Sequence, residues 1–259
     1  MSTSLSEATV GRYLERLGVP KPDTPTLGAL RALQAAHLRE IPFENASVLR
    51  GDQIPLDLPS LVDKVLGRGR GGFCYELNGL FAALLEALGY TVFLRSARVF
   101  QEGATVGPPF DHLCLEVPLD GERWLVDVGF GYSFLEPLRL MESVEQEDPS
   151  GRFRLLPVAG SEGAVDVEWL HSDGSWRGQY RIDPGTFALA DFEPMCEVQR
   201  TSADAPFVHG WMLSRATADG FVTIMHRKYI LSRGKTIVDS RIVDDDTELG
   251  DLVARWFGL

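Results

Sequence analysis

The spacing of apolar residues changes once along this chain, near Gly89, and that change limits the fold more than any other feature. Before it, apolar side chains recur at three- and four-residue steps, as in a helix that buries one face. Val10, Tyr13, Leu14 and Leu17 make one such face, closed by Gly18. Leu27, Leu30, Leu33 and Leu38 make a second, after a proline-rich turn over residues 20–25. Ser60 is a candidate cap for a short third helix through Leu66. A fourth helix follows Phe73, with Leu77, Leu80, Phe81, Leu84, Leu85 and Leu88 in phase and Gly89 as its stop. Residues 1–90 therefore predict a helical bundle.

From Thr91 the period is two. Segments 91–100, 113–117 and 124–128 read as strands, followed by shorter ones around 153–156, 164–171, 179–182 and Ala188. Strands this short and evenly spaced predict an antiparallel barrel or sandwich over residues 91–195. The acidic stretch 142–151 reads as a surface loop. In the last part, 196–259, segments 221–231 and 235–243 read as a hairpin around Ser232-Arg233-Gly234. Asp246 or Thr247 then caps a final helix carrying Leu249, Leu252, Val253 and Trp256 on one side. The fold class is α+β.

A net charge of −12 argues against bulk nucleic-acid binding, which needs a basic face. Three scattered cysteines, Cys74, Cys114 and Cys196, form neither a disulfide framework nor a C-x-x-C pair, and no histidine stands at zinc-ligand spacing, so no metal is expected. Residues 1–7 lack a signal-peptide pattern, and no segment reaches about 18 uninterrupted apolar residues. The expectation is a cytoplasmic protein with reduced thiols.

Cys74 stands in the first turn of the fourth helix, behind Gly71-Gly72. Unpaired N–H groups and the positive end of the helix dipole meet there, which favours thiolate, the nucleophilic form. A cysteine nucleophile needs a base and a group to orient that base. His112 opens one predicted strand and Asp127 lies in the next, with Asp120-Gly121, a strong hairpin signal, between them. A two-residue turn there sets Leu119 against Glu122, Cys114 against Asp127 and His112 against Gly129. His112 and Asp127 then share a face as diagonal neighbours within side-chain reach. The order Cys, His, Asp on helix and sheet is that of papain-like enzymes. Gly129-Phe130-Gly131 offers close backbone approach and an apolar wall for a ligand.

The other candidates are weaker. His37 reads as structural, and His171, His209 and His226 have no partner at readable spacing. Cys114 reads as an apolar neighbour and Cys196 as a buried or loop thiol. Gly67, Gly69, Gly71 and Gly72 lack the pattern of a phosphate loop.

Four segments resemble the arylamine N-acetyltransferase family in its bacterial form: His37-Leu38-Arg39-Glu40-Ile41-Pro42-Phe43-Glu44-Asn45, the run from Arg70 through Cys74 to Asn78, the strand begun by His112, and the run from Trp124 through Asp127 to Gly131. The resemblance implies a helical bundle, a β-barrel and a C-terminal α/β lid around a papain-like core. It implies acetyl-CoA as acyl-donor cosubstrate, a small aromatic amine or hydrazine as acceptor, an acetyl-Cys74 intermediate and a place in xenobiotic metabolism. His112 would act as base then acid, with Asp127 orienting it. Phe43, Val99, Phe130 and Phe207 would line the acceptor pocket, although Ala205 stands where the family carries a serine two residues before Phe207. Gly129, Phe130 and Gly131 would lie near the cofactor's pantetheine entry, and Arg70 with Glu44 and Asn45 would brace the cysteine loop.

Three rivals keep parts of this reading. An amide synthase that closes macrolactams would take its acyl group from a polyketide synthase carrier. A papain-like hydrolase would use water as acceptor. A binding module without chemistry would have no need of all three triad residues.

Overall fold

The structure is a computed structural model that describes residues 4–101, 105–141, 143–234 and 236–259. Its N-terminal part is helical, and each start has a local cause. α1 (Glu7–Leu17) begins at Ser6, whose hydroxyl accepts the Thr9 N–H, and ends at Gly18 in the left-handed region. α2 (Leu27–Glu40) is capped in the same way by Thr26. A single turn, α3 (Ala46–Leu49), precedes α4 (Leu58–Val62). Here the expected cap is displaced: Asp57 begins α4, and Ser60 donates its N–H to Asp57 Oδ1 at 3.0 Å. A carboxylate outcompetes a hydroxyl as acceptor for the free N–H groups of a first turn. One π-helical turn (Asp63–Gly67) follows and leads to α5 (Cys74–Ala87). Leu77, Leu80, Phe81, Leu84 and Leu85 of α5 are fully buried, so this helix is the axis around which the others pack.

The second part is one antiparallel sheet of eight strands. β1 (Phe93–Val99), β2 (His112–Leu119), β3 (Glu122–Val126) and β4 (Leu138–Arg139) are joined by β5 (Gln146–Asp148), β6 (Gly151–Pro157), β7 (Val165–Leu170) and β8 (Trp176–Ile182) in the order β4-β3-β2-β1-β8-β7-β6-β5. The sheet curls until its ends nearly meet. Gln146 closes the seam: its Oε1 accepts the Arg139 N–H and its Nε2 donates to the Arg139 carbonyl. The β2–β3 register is the one the turn predicts, with Leu119 opposite Glu122 and positive φ at both Asp120 and Gly121.

Two readings of this part are corrected. Segment 142–151 is not simply a loop: residue 142 lies outside the described residues, but Gln146–Asp148 pairs with β6. One of its acids, Asp148, is buried, and its carboxylate accepts the N–H groups of Leu135, Glu136 and Ser150. Ala188 is not in a strand. Asp191 takes its N–H at 2.8 Å and winds Leu189–Phe192 into a 3-10 turn that leads to α6 (Glu193–Thr201).

The last part is a second sheet, β12-β11-β10-β9, formed by β9 (Met212–Ala216), β10 (Phe221–Met225), β11 (Lys228–Arg233) and β12 (Thr236–Ile242). Segment 221–231 is therefore two strands, turning at His226 with φ +55°, and the hairpin about Gly234 is the second of a pair. Residue 235 lies outside the described residues. β9 has no counterpart in the sequence reading. α7 (Asp246–Phe257) packs Leu249, Val253 and Phe257 on one face of this sheet. Its cap is Asp245, ahead of both expected positions, Asp246 and Thr247, and it accepts the Glu248 N–H at 2.8 Å. No helix among the described residues is long and apolar enough to cross a membrane.

Candidate active site

The junction between α5 and β2 brings together the residues singled out in the sequence. Cys74 begins α5, and its loop is held from below by charge. Glu76 accepts the Phe73 N–H at 3.2 Å, while Lys64 donates to both Glu76 oxygens at 2.7 and 2.8 Å. The glycine pair before Cys74 answers a steric demand. A Cβ on Gly71 would lie 1.9 Å from the Pro42 carbonyl oxygen, and one on Gly72 would lie 2.6 Å from Glu76 Oε2. Arg70 meets Glu44 at 2.6 Å, as the brace requires, and Glu44 also accepts the Ala46 N–H. Asn45 does not join this brace. It points the other way, donating to the carbonyls of Phe207 and Gly210 and accepting the Met212 N–H.

His112 and Asp127 meet as the register predicts: His112 Nε2 and Asp127 Oδ2 are 2.7 Å apart, both residues 2% exposed. This leaves ring nitrogen Nδ1 as the one not committed to the carboxylate. The second Asp127 oxygen accepts from Asn78 Nδ2 at 2.9 Å and from the Gly129 N–H at 2.8 Å. Burial acts to raise the Asp127 carboxyl, but His112, Asn78 and Gly129 together hold it below the ordinary carboxylate range.

Asn78 is the functional residue the sequence reading passed over. Besides Asp127 it donates to the Leu113 carbonyl and accepts the Val128 N–H, so one amide ties α5 to both strands. Its signal was present, since it stands four residues after Cys74 on the same helix face in a largely apolar run. Tyr180 was also missed. Its ring packs 5.0 Å from His112 and 5.0 Å from Phe130.

Gly129 brings barrel and helix into contact. A Cβ there would lie 2.7 Å from Cys74 Cα and 2.7 Å from Asn78 Nδ2, so only glycine lets the barrel rim close on the cysteine. Gly131 has φ +91°, and its modest clearance is set by Ser214 and Phe43. The expected pocket residues fall in two groups. Phe43 and Phe207 pack together at 6.2 Å, with Phe73 5.5 Å from Phe207. Phe130 stands against His112 at 5.2 Å, and Val99 is opposite Tyr180 in the β1–β8 pair, so the two share a face.

The helix-mouth argument for a thiolate does not survive burial unaided. Cys74 is 3% exposed, and burial pushes its thiol well above the ordinary range, with only the Leu113 backbone working against it. Cys196, Asp111 and Asp127 raise it further. Dipole stabilisation at a helix start is a small effect, about 1 kcal/mol, and desolvating a lone anion outweighs it. Cys114 sits in the apolar barrel core, and Cys196 lies on α6 in the aromatic cluster that also holds Cys74; all three cysteines are free. No group of three or more metal-ligating side chains occurs among the described residues.

Residues 26–259 match a family model described as N-acetyltransferase. An arylamine N-acetyltransferase / N-hydroxyarylamine O-acetyltransferase of Salmonella typhimurium is 33% identical over 249 residues, covering 95% of this chain and 87% of the relative. Proansamycin X synthase of Amycolatopsis mediterranei is 29% identical, covering 95% of each chain. Among solved structures, Mycobacterium marinum arylamine N-acetyltransferase in complex with CoA superposes with a TM-score of 0.89 at 29% identity, covering 96% of this chain and 92% of that one. The chain belongs to the arylamine N-acetyltransferase family, a family of transferases.

Proposed function

We propose that this chain transfers the acetyl group of acetyl-CoA to an arylamine or arylhydrazine by a ping-pong route through acetyl-Cys74. The observation that carries the reading is the His112–Asp127 bond of 2.7 Å, which commits Nε2 and leaves Nδ1 to serve the cysteine at the mouth of α5. The Cys74 proton passes to Nδ1 as sulfur bonds to the thioester carbonyl carbon. The bond from that carbon to the CoA sulfur breaks, and the imidazolium returns its proton to the departing thiolate. In the second half the amine nitrogen attacks the acetyl-cysteine, Nδ1 takes the amine proton, and Cys74 leaves and is reprotonated. Thioester exchange between two thiols is nearly isoenergetic, so the acyl-enzyme keeps the activation of its donor.

Asp127 keeps its charge throughout, orients the ring and stabilises the imidazolium. Phe43, Phe207, Phe130 and Val99 supply apolar surface on which a flat aromatic acceptor stacks. Gly129, Phe130 and Gly131 are the backbone past which the pantetheine arm of CoA enters. The expected setting is the cytoplasm, where thiols stay reduced and acyl-CoA is present.

Incubating the protein with acetyl-CoA and an arylhydrazine should release free CoA. With acetyl-CoA alone, intact mass should rise by one acetyl group on the peptide containing Cys74. The absence of both free CoA and the adduct would overturn the reading. The relation to proansamycin X synthase supports a second reading, an amide synthase fed by a carrier thioester. That reading expects acylation from a pantetheine-linked long acyl chain and none from acetyl-CoA.

A further inference from the structure

The chain reaches His112 through a strained turn. Phe110 has φ +64°, in the left-handed region where a bulky side chain is an outlier. Such a residue keeps this conformation only where its surroundings impose it. Several elements do so here. The Phe110 ring packs on Phe187 at 4.8 Å and on Phe192 at 5.1 Å. Its N–H is accepted by Ser96 Oγ at 3.0 Å. The next carboxylate, Asp111, accepts the Val99 N–H and an amide N–H of Gln199 on α6. These bonds tie the turn to β1 and α6.

A further bond ties it to the helix that bears Cys74. Tyr75, the residue after the cysteine, is fully buried. Its hydroxyl donates to the Phe110 carbonyl at 2.9 Å and to that of Asp111 at 3.2 Å. A phenol has one proton, so the two carbonyls share it. Burial pushes this phenol far above its ordinary range, so it remains a donor at any working pH. The ring is held edge-on by Phe73 at 5.1 Å, with Phe192 at 6.0 Å, and has little freedom to follow a turn that moves. The bond therefore links the residue after Cys74 to the residue before His112. On the far side of His112, Asn78 donates to the Leu113 carbonyl at 2.6 Å. Two α5 side chains thus bracket His112, one acting on each of its backbone neighbours.

We propose that Tyr75 is a positioning residue: its hydroxyl holds the strained Phe110-Asp111 turn against α5 and so sets the His112 ring towards Cys74. The role rests on the acetyl-transfer reading, in which His112 takes the Cys74 proton. Without the hydroxyl both carbonyls lose their donor, Phe110 relaxes towards negative φ, and the backbone leading into His112 turns with it. Reacting groups tolerate little displacement, so the loss falls on the chemical step and not on substrate affinity.

Tyr75→Phe removes one oxygen and keeps the ring. With acetyl-CoA and an arylhydrazine it should lower kcat about tenfold or more, with both KM values within about twofold of the wild type. Phe110→Gly supplies a residue that holds positive φ without strain. In that background Tyr75→Phe should cost no more than about threefold, each effect being measured against its own parent. Proton–nitrogen NMR of the histidine rings reads the placement without turnover, the His112 signal being the one lost in His112→Gln. Tyr75→Phe should shift that signal and leave those of His37, His171, His209 and His226 in place. An unchanged kcat, an unmoved His112 signal, or an equal loss in both backgrounds would overturn the proposal. So would a Tyr75→Phe protein that unfolds, since the hydroxyl would then serve stability. A wild type that releases no CoA defeats the acetyl-transfer reading, and the NMR signals then decide by themselves whether Tyr75 places His112.

Discussion

In the proposed reaction Cys74 depends on His112, because burial opposes an isolated thiolate and Asp127 is placed to orient the ring that would take the proton. Iodoacetamide should therefore alkylate Cys74 quickly at about pH 6 in the wild type, and in His112→Gln only at alkaline pH. Rapid labelling of the variant at the lower pH would show that the helix mouth suffices. Asn78 is the second test at this scale. Asn78→Ala takes a partner from Asp127, the Leu113 carbonyl and the Val128 N–H at once. The expected cost is about 3 kcal/mol of unfolding free energy together with a fall in kcat, read from denaturant melts and CoA release.

At the scale of elements, the Lys64–Glu76 pair joins the π turn to the first turn of α5, and its side chains are 7% and 3% exposed. Burial pushes the Glu76 carboxyl up and Lys64 pulls it back. Lys64→Met leaves that carboxylate alone and should cost about 3–5 kcal/mol; adding Glu76→Gln should recover much of the loss, because Gln keeps an acceptor for the Phe73 N–H. A Lys64→Met protein as stable as the wild type would mean that the pair contributes nothing. Gly129 ties the β3 end to α5. Gly129→Ala should lower stability by about 1–3 kcal/mol and reduce turnover, while the KM for the acceptor moves less, because Cys74 Cα must shift to admit the methyl.

For the whole molecule, pH response follows from buried groups, one of them outside the site and one within it. His37, with 0% exposure, bonds through Nδ1 to the Tyr13 hydroxyl at 3.2 Å. Burial, with a smaller push from Arg16, lowers it from 6.5 to about 3. Between those values the unfolded chain binds a proton that the folded chain refuses. Stability is therefore retained above the upper value and falls as pH drops through the window, by about 1.4 kcal/mol per pH unit from this group. Asp127, held below its ordinary range, adds a loss of the same sign at more acid pH. Guanidinium melts between about pH 7 and pH 4 should show this slope, and His37→Gln should flatten it. An unchanged slope in the variant would remove His37 as its source.

Local rules were enough for much of this. The periods of apolar residues mark α1, α2, α5 and most barrel strands, and Asp120-Gly121 fixes the register that brings His112 to Asp127. Parity along two strands is a local property, so it can be read without the fold. Caps were read less well: Asp57 replaced Ser60, and Asp245 replaced Asp246 or Thr247, since several short polar residues competed and only backbone geometry chose among them. Asn45, Asn78 and Tyr180 take their roles from partners far away in sequence, and composition says nothing of those. What opposes ionisation of Cys74 belongs to the tertiary structure. A helix start is a matter of neighbouring residues, but the desolvation that overrides it comes from distant segments packed around the sulfur.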